Sequence, residues 1–146
     1  MSNAFHSLTI AERRREIADA VSISLAVPPP LAAQFRFAPG QHLTLRAQIA
    51  GEDVRRNYSI CSAPHEGELR VAIKAVPDGL FSSWANRDLA AGQQIEVMPP
   101  HGSFTWPFDP ARQAHYVGFA GGSGITPVLS LLKTALTCEP ESRFTL

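Results

Sequence analysis

Residues 20–27 read AVSISLAV, and every second side chain from Val21 to Val27 is apolar. An apolar period of two predicts a β-strand with one buried face. The three prolines at 28–30 end this strand, because proline lacks the backbone N–H that a sheet ladder needs. We therefore expect a half-buried strand that requires partners in a sheet.

Further strand signals recur between residues 7 and 100, with turn-forming residues between them. A short extended piece is predicted at Phe35–Phe37, closed by the turn pair Pro39-Gly40. Longer strands are predicted at Ala20–Val27, His42–Ile49, Val54–Cys61 and Glu68–Val76, and a further short strand at Ile95–Val97. Short strands joined by turns are typical of a small antiparallel barrel or sandwich, and closure favours the barrel because it leaves no edge strand.

One helix interrupts this mainly β pattern. Asp78 is the expected N-cap, since aspartate readily caps a helix start. Apolar residues then recur at near-helical spacing, at Leu80, Phe81, Trp84 and Leu89.

The pattern changes after Phe104. Residues 106–110, WPFDP, suggest a linker, and residues 115–120, HYVGFA, suggest a strand buried on both faces. A glycine-rich turn at 121–124 and an apolar helix follow, and Arg143–Leu146 is expected to begin a second strand. This order predicts the start of a doubly wound α/β domain. Since one strand and one helix cannot cover a parallel sheet, we expect the chain to be a fragment of something longer.

The composition excludes several classes of function. The 146 residues include 13 Lys plus Arg and 13 Asp plus Glu, so no net positive charge attracts nucleic acid or an anionic membrane. The short cluster Arg13–Arg15 is interpreted as a solvated strand face rather than an anion site. Two cysteines cannot hold an iron–sulfur cluster or a four-ligand zinc site, so no metal site is predicted. No apolar run could span a membrane, and free cysteines without a signal-like start lead us to expect a cytoplasmic protein.

The first group of candidate site residues is Arg56-Asn57-Tyr58-Ser59, late in a predicted strand. A guanidinium can bind phosphate oxygens in a bidentate way, and a tyrosine ring can lie against a flat aromatic ligand. A serine hydroxyl can hydrogen-bond a ring nitrogen. Taken alone, the tetrad is explained more simply as a surface arginine and a half-buried tyrosine on a strand.

The second group is Lys74 followed by DGLFSS at 78–83. Gly79 permits close backbone approach, and Ser82 and Ser83 fall in the first turn of the predicted helix. Free amides at a helix start, together with the helix dipole, can bind an anion. An ordinary capped helix is the alternative interpretation.

The third group is GGSGITP at 121–127, after a predicted strand and before a helix with Pro127 at its start. A dinucleotide pyrophosphate loop needs this context, although the run is not the Gly-x-Gly-x-x-Gly fingerprint. A tight strand-to-helix turn would produce the same pattern.

In this order and spacing the three groups resemble the ferredoxin–NADP reductase family. The resemblance runs from about Phe5 to Leu146 and includes Pro39-Gly40-Gln41 and the run HGSF at 101–104. Within the family, the chain most resembles the reductases of multicomponent oxygenases, in particular those of phenylacetyl-CoA degradation. It implies an antiparallel Greek-key barrel that binds FAD, followed by a truncated α/β nicotinamide-binding domain. The implied enzyme passes electrons from NAD(P)H through the flavin to an iron–sulfur centre.

The resemblance also implies residue roles. Arg56 would neutralise the FAD diphosphate, Tyr58 would pack on the isoalloxazine, and Ser59 would hydrogen-bond near N5, where hydride arrives. Tyr58 and Ser59 are thus the implied catalytic residues, and no residue is implied as a metal ligand. The other implied cofactor-binding residues are Val71, Ile73 and Lys74, which with Ala72 would line the flavin edge through backbone groups, Gly79, Leu80, Phe81 and Ser82 at the helix start, and Gly121, Gly122, Gly124 and Thr126 at the nicotinamide nucleotide.

The implied division of the chain is a FAD-binding barrel over 5–105, a linker over 106–114 and the first piece of an NAD(P)-binding domain over 115–146. The 2Fe-2S cluster would lie in a missing C-terminal region, and the implied partners are an iron–sulfur domain or ferredoxin and the oxygenase components. Our hypothesis is that the chain binds FAD but turns over NAD(P)H poorly or not at all.

Two alternatives remain open from the sequence. The barrel could be a flavin-free binding or interaction module without enzymatic activity, or it could hold FMN in place of FAD. The histidines are interpreted as structural or surface residues rather than catalytic ones, at His42, His65, His101 and His115.

Overall fold

The computed structural model describes residues 4–146, which form six antiparallel strands, two helices and a small parallel pair of strands. The first part of the chain contains β1 (His6–Ile17), β2 (Ala20–Ala26), β3 (His42–Ile49), β4 (Glu52–Ser59), β5 (Leu69–Lys74), α1 (Leu80–Asp88) and β6 (Gln94–His101). The second part contains β7 (His115–Val117), α2 (Ile125–Cys138) and β8 (Arg143–Thr145). Single turns of 3-10 helix occur at Pro29–Leu31, Pro64–Glu66 and Gly122–Gly124.

The six strands close into the predicted antiparallel barrel. Their order in the sheet is β4-β3-β6-β1-β2-β5. The two outer strands then meet, since Ile60 bridges to Val71 and the amide of Cys61 donates to the carbonyl of Arg70 at 2.9 Å. Closure at this point leaves the edges of β4 and β5 unpaired on one side of the bridge.

The barrel core is built by alternate residues of the strands, as the apolar period of two predicts. Helix α1 closes one end of the barrel: Phe81 is 1% exposed, and Asn86 Nδ2 donates to the carbonyl of Ile73 at 2.9 Å. The largest fully buried side chains of this core are those of Leu8, Ile10, Val21, Ile23, Leu43, Leu45, Ile60, Val71, Ile73, Phe81 and Val97.

The expectation of a half-buried strand at 20–27 was wrong in one respect, because β2 is buried on both faces. Ser22 and Ser24 are buried as well as the apolar residues between them. The guanidinium of Arg70, itself buried, lies over the outer face and donates to Ser22 Oγ at 2.9 Å. The small polar residues of β2 therefore lie on a face that the Arg70 side chain covers, and this face is not exposed to water.

Several predicted boundaries also differ. Phe35–Phe37 lies in a turn and an irregular segment instead of an extended piece, and β6 continues to His101, well beyond Val97. Asp78 is not the N-cap of α1, because its φ of 59° is left-handed whereas an N-cap needs an extended backbone. Gly79 holds the N-cap position instead.

The arginine cluster of β1 agrees with a solvated face at two of three positions. Arg14 and Arg15 are exposed, but Arg13 is partly buried and its Nη2 donates to the carbonyl of Asn86 at 2.6 Å. Arg13 thus ties β1 to the end of α1.

The predicted strand–glycine turn–helix–strand unit is present, and β7 pairs in parallel with β8. The expectation that residues 115–120 are buried on both faces was wrong: Val117 is 56% and Phe119 90% exposed. A strand is covered only where elements pack on both of its faces. Within residues 4–146, β8 is the one strand that pairs with β7.

A buried carboxylate holds the irregular segment before β7 against the end of α2. Glu139 is 0% exposed and accepts hydrogen bonds from the amide of Asp109 at 2.9 Å, Arg112 Nη1 at 3.1 Å, the Tyr116 hydroxyl at 2.7 Å and Ser142 Oγ at 2.8 Å. Burial alone would raise the pKa of Glu139, but these donors and the charge of Arg112 outweigh it and hold the pKa below its ordinary value.

Glu139→Gln is therefore expected to lower the thermal stability at neutral pH. The stability of this variant should also fall less than that of the wild type as the pH is lowered. A carboxyl whose pKa is depressed by folding stabilises the protein above its ordinary pKa of 4.5 and loses that contribution as the pH falls through the folded value. Melting temperatures of both proteins at neutral and acid pH measure this. The exposed neighbour Glu141, changed to Gln, is the control, and an equal effect of both substitutions would contradict the role of Glu139.

Residues 4–146 contain no helix that is long and apolar enough to cross a membrane. Cys61 and Cys138 are both free thiols. In the same described range no three His, Cys, Asp or Glu side chains cluster as metal ligands.

Candidate functional site

A cleft of about 670 Å³ opens where the edges of β4 and β5 separate beyond the Ile60–Val71 bridge. It brings together the three groups of residues singled out in the sequence. From β4 and β5 it is lined by Arg56, Asn57, Tyr58, Ser59, Ala72 and Lys74; from the start of α1 by Gly79, Phe81 and Ser82; and from the start of α2 by Gly122, Ser123 and Thr126.

Arg56 presents a charged group to this cleft. Its side chain is exposed and donates through Nη1 to the carbonyl of Arg55 at 2.7 Å. Arg56 forms no ion pair with any residue in the range 4–146, whereas the adjacent Arg55 pairs with Asp53 at 3.2 Å. The remaining N–H groups of Arg56 can therefore bind an anionic ligand.

Tyr58 supplies a flat, partly buried ring beside Arg56. Its centroid lies 5.7 Å from that of Phe81, with the rings tilted by 39°, and Phe81 in turn meets Trp84 edge-on at 5.4 Å. Burial of the ring raises the pKa of Tyr58 to about 12, and the neighbouring Arg56 guanidinium opposes part of this rise. Tyr58 is thus a neutral phenol that can stack on a ligand and still donate a hydrogen bond.

We expect the raised pKa of Tyr58 to destabilise the fold between about pH 10 and pH 12. In this interval the unfolded chain loses the phenol proton at its ordinary pKa of 10.0 while the folded chain keeps it, so stability falls as the pH rises. The stabilising contribution is complete below pH 10. The chain has two tyrosines, so the phenolate absorbance of the Tyr116→Phe variant reports the ionisation of Tyr58 alone. The Tyr58→Phe variant should not show the loss of stability at alkaline pH. Ionisation of Tyr58 with the ordinary pKa of 10.0 would contradict the prediction.

The start of α1 forms the far wall of the cleft. The first amide bonded within the helix is that of Ser83, which donates to the carbonyl of Gly79 at 2.9 Å, so the amides of residues 80–82 precede the helix ladder. A Cβ on Gly79 would lie 2.3 Å from Ser82 Oγ and 2.6 Å from Val76 Cγ2, so a larger residue here would displace both side chains. Ser82 Oγ is already used within the turn, where it accepts from the amide of Val76 at 3.2 Å. Ser82 can therefore offer a ligand its amide more readily than its hydroxyl.

Three residues assigned from the resemblance do not point side chains into the cleft. Val71 and Ile73 are fully buried in the barrel core, and Leu80 is 38% exposed on the outer side of α1. The alternation of β5 instead directs Ala72 and Lys74 into the cleft. Val71 and Ile73 could contact a ligand through backbone groups alone, and the carbonyl of Ile73 already accepts from Asn86 Nδ2.

The glycine loop before α2 lies across the cleft from β4. Gly122 and Thr126 line the cleft, whereas Gly121 and Gly124 do not. A Cβ on any of these three glycines would meet no atom within 4 Å, so the protein itself leaves room here for a ligand to approach the backbone. Thr126 Oγ1 donates to the carbonyl of Ser123 at 2.8 Å and closes the loop.

The cleft also contains a residue that the sequence reasoning missed. Asp19, at the turn between β1 and β2, reaches the cleft and lies 3.8 Å from Lys74 Nζ. No sequence signal placed Asp19 near Arg56.

A second cavity of about 490 Å³ adjoins the cleft, between the outer wall of the barrel and α2. The two spaces share Ala72, Lys74, Gly122, Ser123 and Thr126. Cys61 lines this second cavity, where burial raises the pKa of its thiol. The histidines line neither space. His42 and His101 stack edge-on with centroids 4.1 Å apart, and burial, with the charge of His101, lowers the pKa of His42.

The family model of the oxidoreductase FAD-binding domain matches residues 7–106, which is more than half of the chain. The chain belongs to this family. Membership confirms the predicted barrel and FAD as the predicted cofactor.

Curated relatives agree with this assignment. The chain is 50% identical over 142 residues to a subunit of the 1,2-phenylacetyl-CoA epoxidase from Escherichia coli (strain K12), covering 97% of this chain and 40% of the relative. It is 43% identical over 134 residues to the ferredoxin reductase component of 3-ketosteroid-9-alpha-monooxygenase from Rhodococcus rhodochrous, covering 89% of this chain and 37% of the relative. The chain thus spans about two fifths of the length of these proteins.

A solved structure gives the same result for the fold. Phthalate dioxygenase reductase, described as a modular structure for electron transfer from pyridine nucleotides to [2Fe-2S], superimposes with a TM-score of 0.76 at 29% identity. The superposition covers 97% of this chain and 42% of the reductase chain.

Proposed function

We propose that this chain holds FAD in the cleft between β4, β5 and α1 and forms the flavin-binding part of an NAD(P)H-dependent reductase. One observation carries the proposal: an arginine without an ion-pair partner in residues 4–146, a stackable phenol and the free amides of a helix start converge on one cleft. These groups match a diphosphate joined to a flat aromatic ring system.

The residues of the cleft divide this work. Arg56 and the amides at the start of α1, around Gly79, hold the diphosphate, and Lys74 adds a second positive charge. Tyr58 supports the flat ring from one side, and its own position is fixed by Phe81. Ser59 offers a hydroxyl at the end of β4, beside the ring, and is the residue we assign near the reacting edge.

The start of α2 completes the site from the opposite wall. Gly122 and Thr126 leave the space into which a nicotinamide ring can enter, and Gly121 and Gly124 shape the loop around them. FAD, when bound, supplies the conversion between a two-electron donor and one-electron acceptors. The protein contributes binding, orientation and exclusion of water from the ring.

For the complete enzyme we propose NAD(P)H as donor and an iron–sulfur centre as acceptor, serving a multicomponent oxygenase like the phenylacetyl-CoA epoxidase of the relative. The proposed division is a flavin domain over 5–105, a linker over 106–114 and the first piece of a nucleotide-binding domain over 115–146. Two free thiols fit a reducing compartment such as the cytoplasm.

A visible spectrum of the purified chain tests the proposal. Flavin absorption bands, with FAD identified by chromatography of the released cofactor, are the expected result; FMN in its place would correct the cofactor. A colourless protein that takes up neither flavin would refute the proposal and favour a flavin-free binding module. Dye reduction driven by NADPH or NADH should be slow, and rates usual for reductases would refute the hypothesis of poor turnover.

A further inference from the structure

A polar stripe on helix α2 contacts the barrel. Ser130, Lys133 and Thr137 lie three and four residues apart, so they share one face of the helix. Their partners all lie in residues 62–66, the loop that follows barrel closure. Ser130 Oγ donates to the carbonyl of Ser62 at 2.6 Å, Lys133 Nζ contacts both carboxylate oxygens of Glu66 at 3.1 Å, and Thr137 Oγ1 lies 3.2 Å from His65 Nε2.

Ser130 makes the strongest of these contacts. Its side chain is 0% exposed, whereas Lys133 and Glu66 are each about a third exposed, and exposed ion pairs contribute little. A buried hydroxyl that loses its partner leaves an uncompensated polar group, so the bond from Ser130 to Ser62 is costly to break.

The acceptor of this bond is held firmly by the barrel. Ser62 Oγ donates to the carbonyl of Glu68 at 2.9 Å and accepts from the amide of Arg70 at 3.1 Å. Arg70 in turn is buried and donates to Glu12, Ser22 and Glu68, which lie on or beside three barrel strands. Ser62 is therefore a fixed point of the barrel wall.

Both ends of the bond lie close to the walls of the cleft. Ser62 follows the cleft residue Ser59 by three positions, and Ser130 follows the cleft residue Thr126 by four, about 6 Å along the helix. Resting on the proposed function, we infer that Ser130 is a positioning residue whose bond to Ser62 fixes the glycine loop over the flavin. The bond sets the width of the gap through which a nicotinamide ring reaches the flavin.

The test compares two substitutions on α2 in the full chain loaded with FAD. Ser130→Ala removes the bond to the barrel, whereas Thr134→Val removes a buried hydroxyl that donates within the helix, to the carbonyl of Ser130 at 2.7 Å. The readouts are iodide quenching of flavin fluorescence and the visible circular dichroism of the flavin, both of which report the surroundings of the ring. Melting temperatures measure the structural cost of each change.

Ser130→Ala should increase the population with a displaced loop about fivefold or more, the factor that the loss of one buried hydrogen bond gives. Iodide quenching should rise and the flavin dichroism should change, while Thr134→Val lowers the melting temperature but leaves both signals as in the wild type. Unchanged signals in Ser130→Ala, or equal changes in both variants, would overturn the inference.

Two further results separate the possible failures. If the unmodified chain takes up no FAD, both the proposed function and the inference are refuted. If the chain takes up FAD normally and Ser130→Ala leaves the flavin signals unaltered, only the inference is refuted. If Ser130→Ala does not fold, Ser130→Cys replaces it, because a cysteine side chain has a similar volume and its thiol is a weaker hydrogen-bond donor. Its flavin signals are measured and interpreted in the same way.

Discussion

Arg56→Ala is expected to weaken FAD binding by roughly ten- to a hundredfold and to leave the barrel folded. Hydrogen bonds from a charged donor contribute about 1.5–3 kcal/mol, and about 1.4 kcal/mol corresponds to tenfold in affinity. The side chain is exposed and lies in no ion pair within residues 4–146, so its loss costs the empty protein little. Titration of the flavin-free chain with FAD, followed by flavin fluorescence or heat, measures the affinity, and urea unfolding of the same sample measures the stability.

Arg55→Ala is the matched control for Arg56→Ala. Arg55 precedes Arg56 on β4, carries the same charge and is bound to Asp53 outside the cleft. Its guanidinium also lies over the ring of Phe5, 5.3 Å from the centroid. A general loss of positive charge would weaken FAD binding equally in both variants, and that outcome would remove Arg56 from its proposed position on the diphosphate.

The barrel could be predicted from the sequence because its strands obey a local rule. Alternation of apolar residues is a property of each strand alone, and β3 at His42–Ile49 was predicted with its observed bounds. Where a partner from another part of the chain covers a strand, the rule fails: Ser22 and Ser24 are buried because Arg70, nearly fifty residues later, lies over them.

The candidate site was predicted in its main parts for a similar reason. Arg56, Tyr58, Gly79 and Thr126 belong to runs whose spacing is fixed locally, and the cleft contains all four. The position of Asp19 in the cleft and the bond from Ser130 to Ser62 depend on contacts between segments that are distant in the chain. Neither turn composition nor helix periodicity predicts such contacts.

The substitution with the largest expected effect on stability is Phe81→Ala. Phe81 is 1% exposed and closes one end of the barrel, in contact with the rings of Tyr58 and Trp84. Truncating a buried phenylalanine removes its transfer free energy and leaves a cavity, which together lower the free energy of unfolding by about 3–5 kcal/mol. Because Phe81 also supports Tyr58, FAD affinity should fall in whatever fraction of the protein remains folded.

Leu80→Ala, one residue earlier on the same helix turn, controls for helix propensity and for general disturbance of α1. Leu80 is 38% exposed and does not line the cleft, so its truncation should change the free energy of unfolding by roughly 1 kcal/mol or less. Urea unfolding of the two flavin-free variants gives the comparison. Phe81→Leu refills part of the cavity without restoring the flat contact to Tyr58, so it should recover more stability than FAD affinity. Recovery of both in equal measure would show that Phe81 acts on the flavin through folding alone, and not by holding the ring of Tyr58 in place.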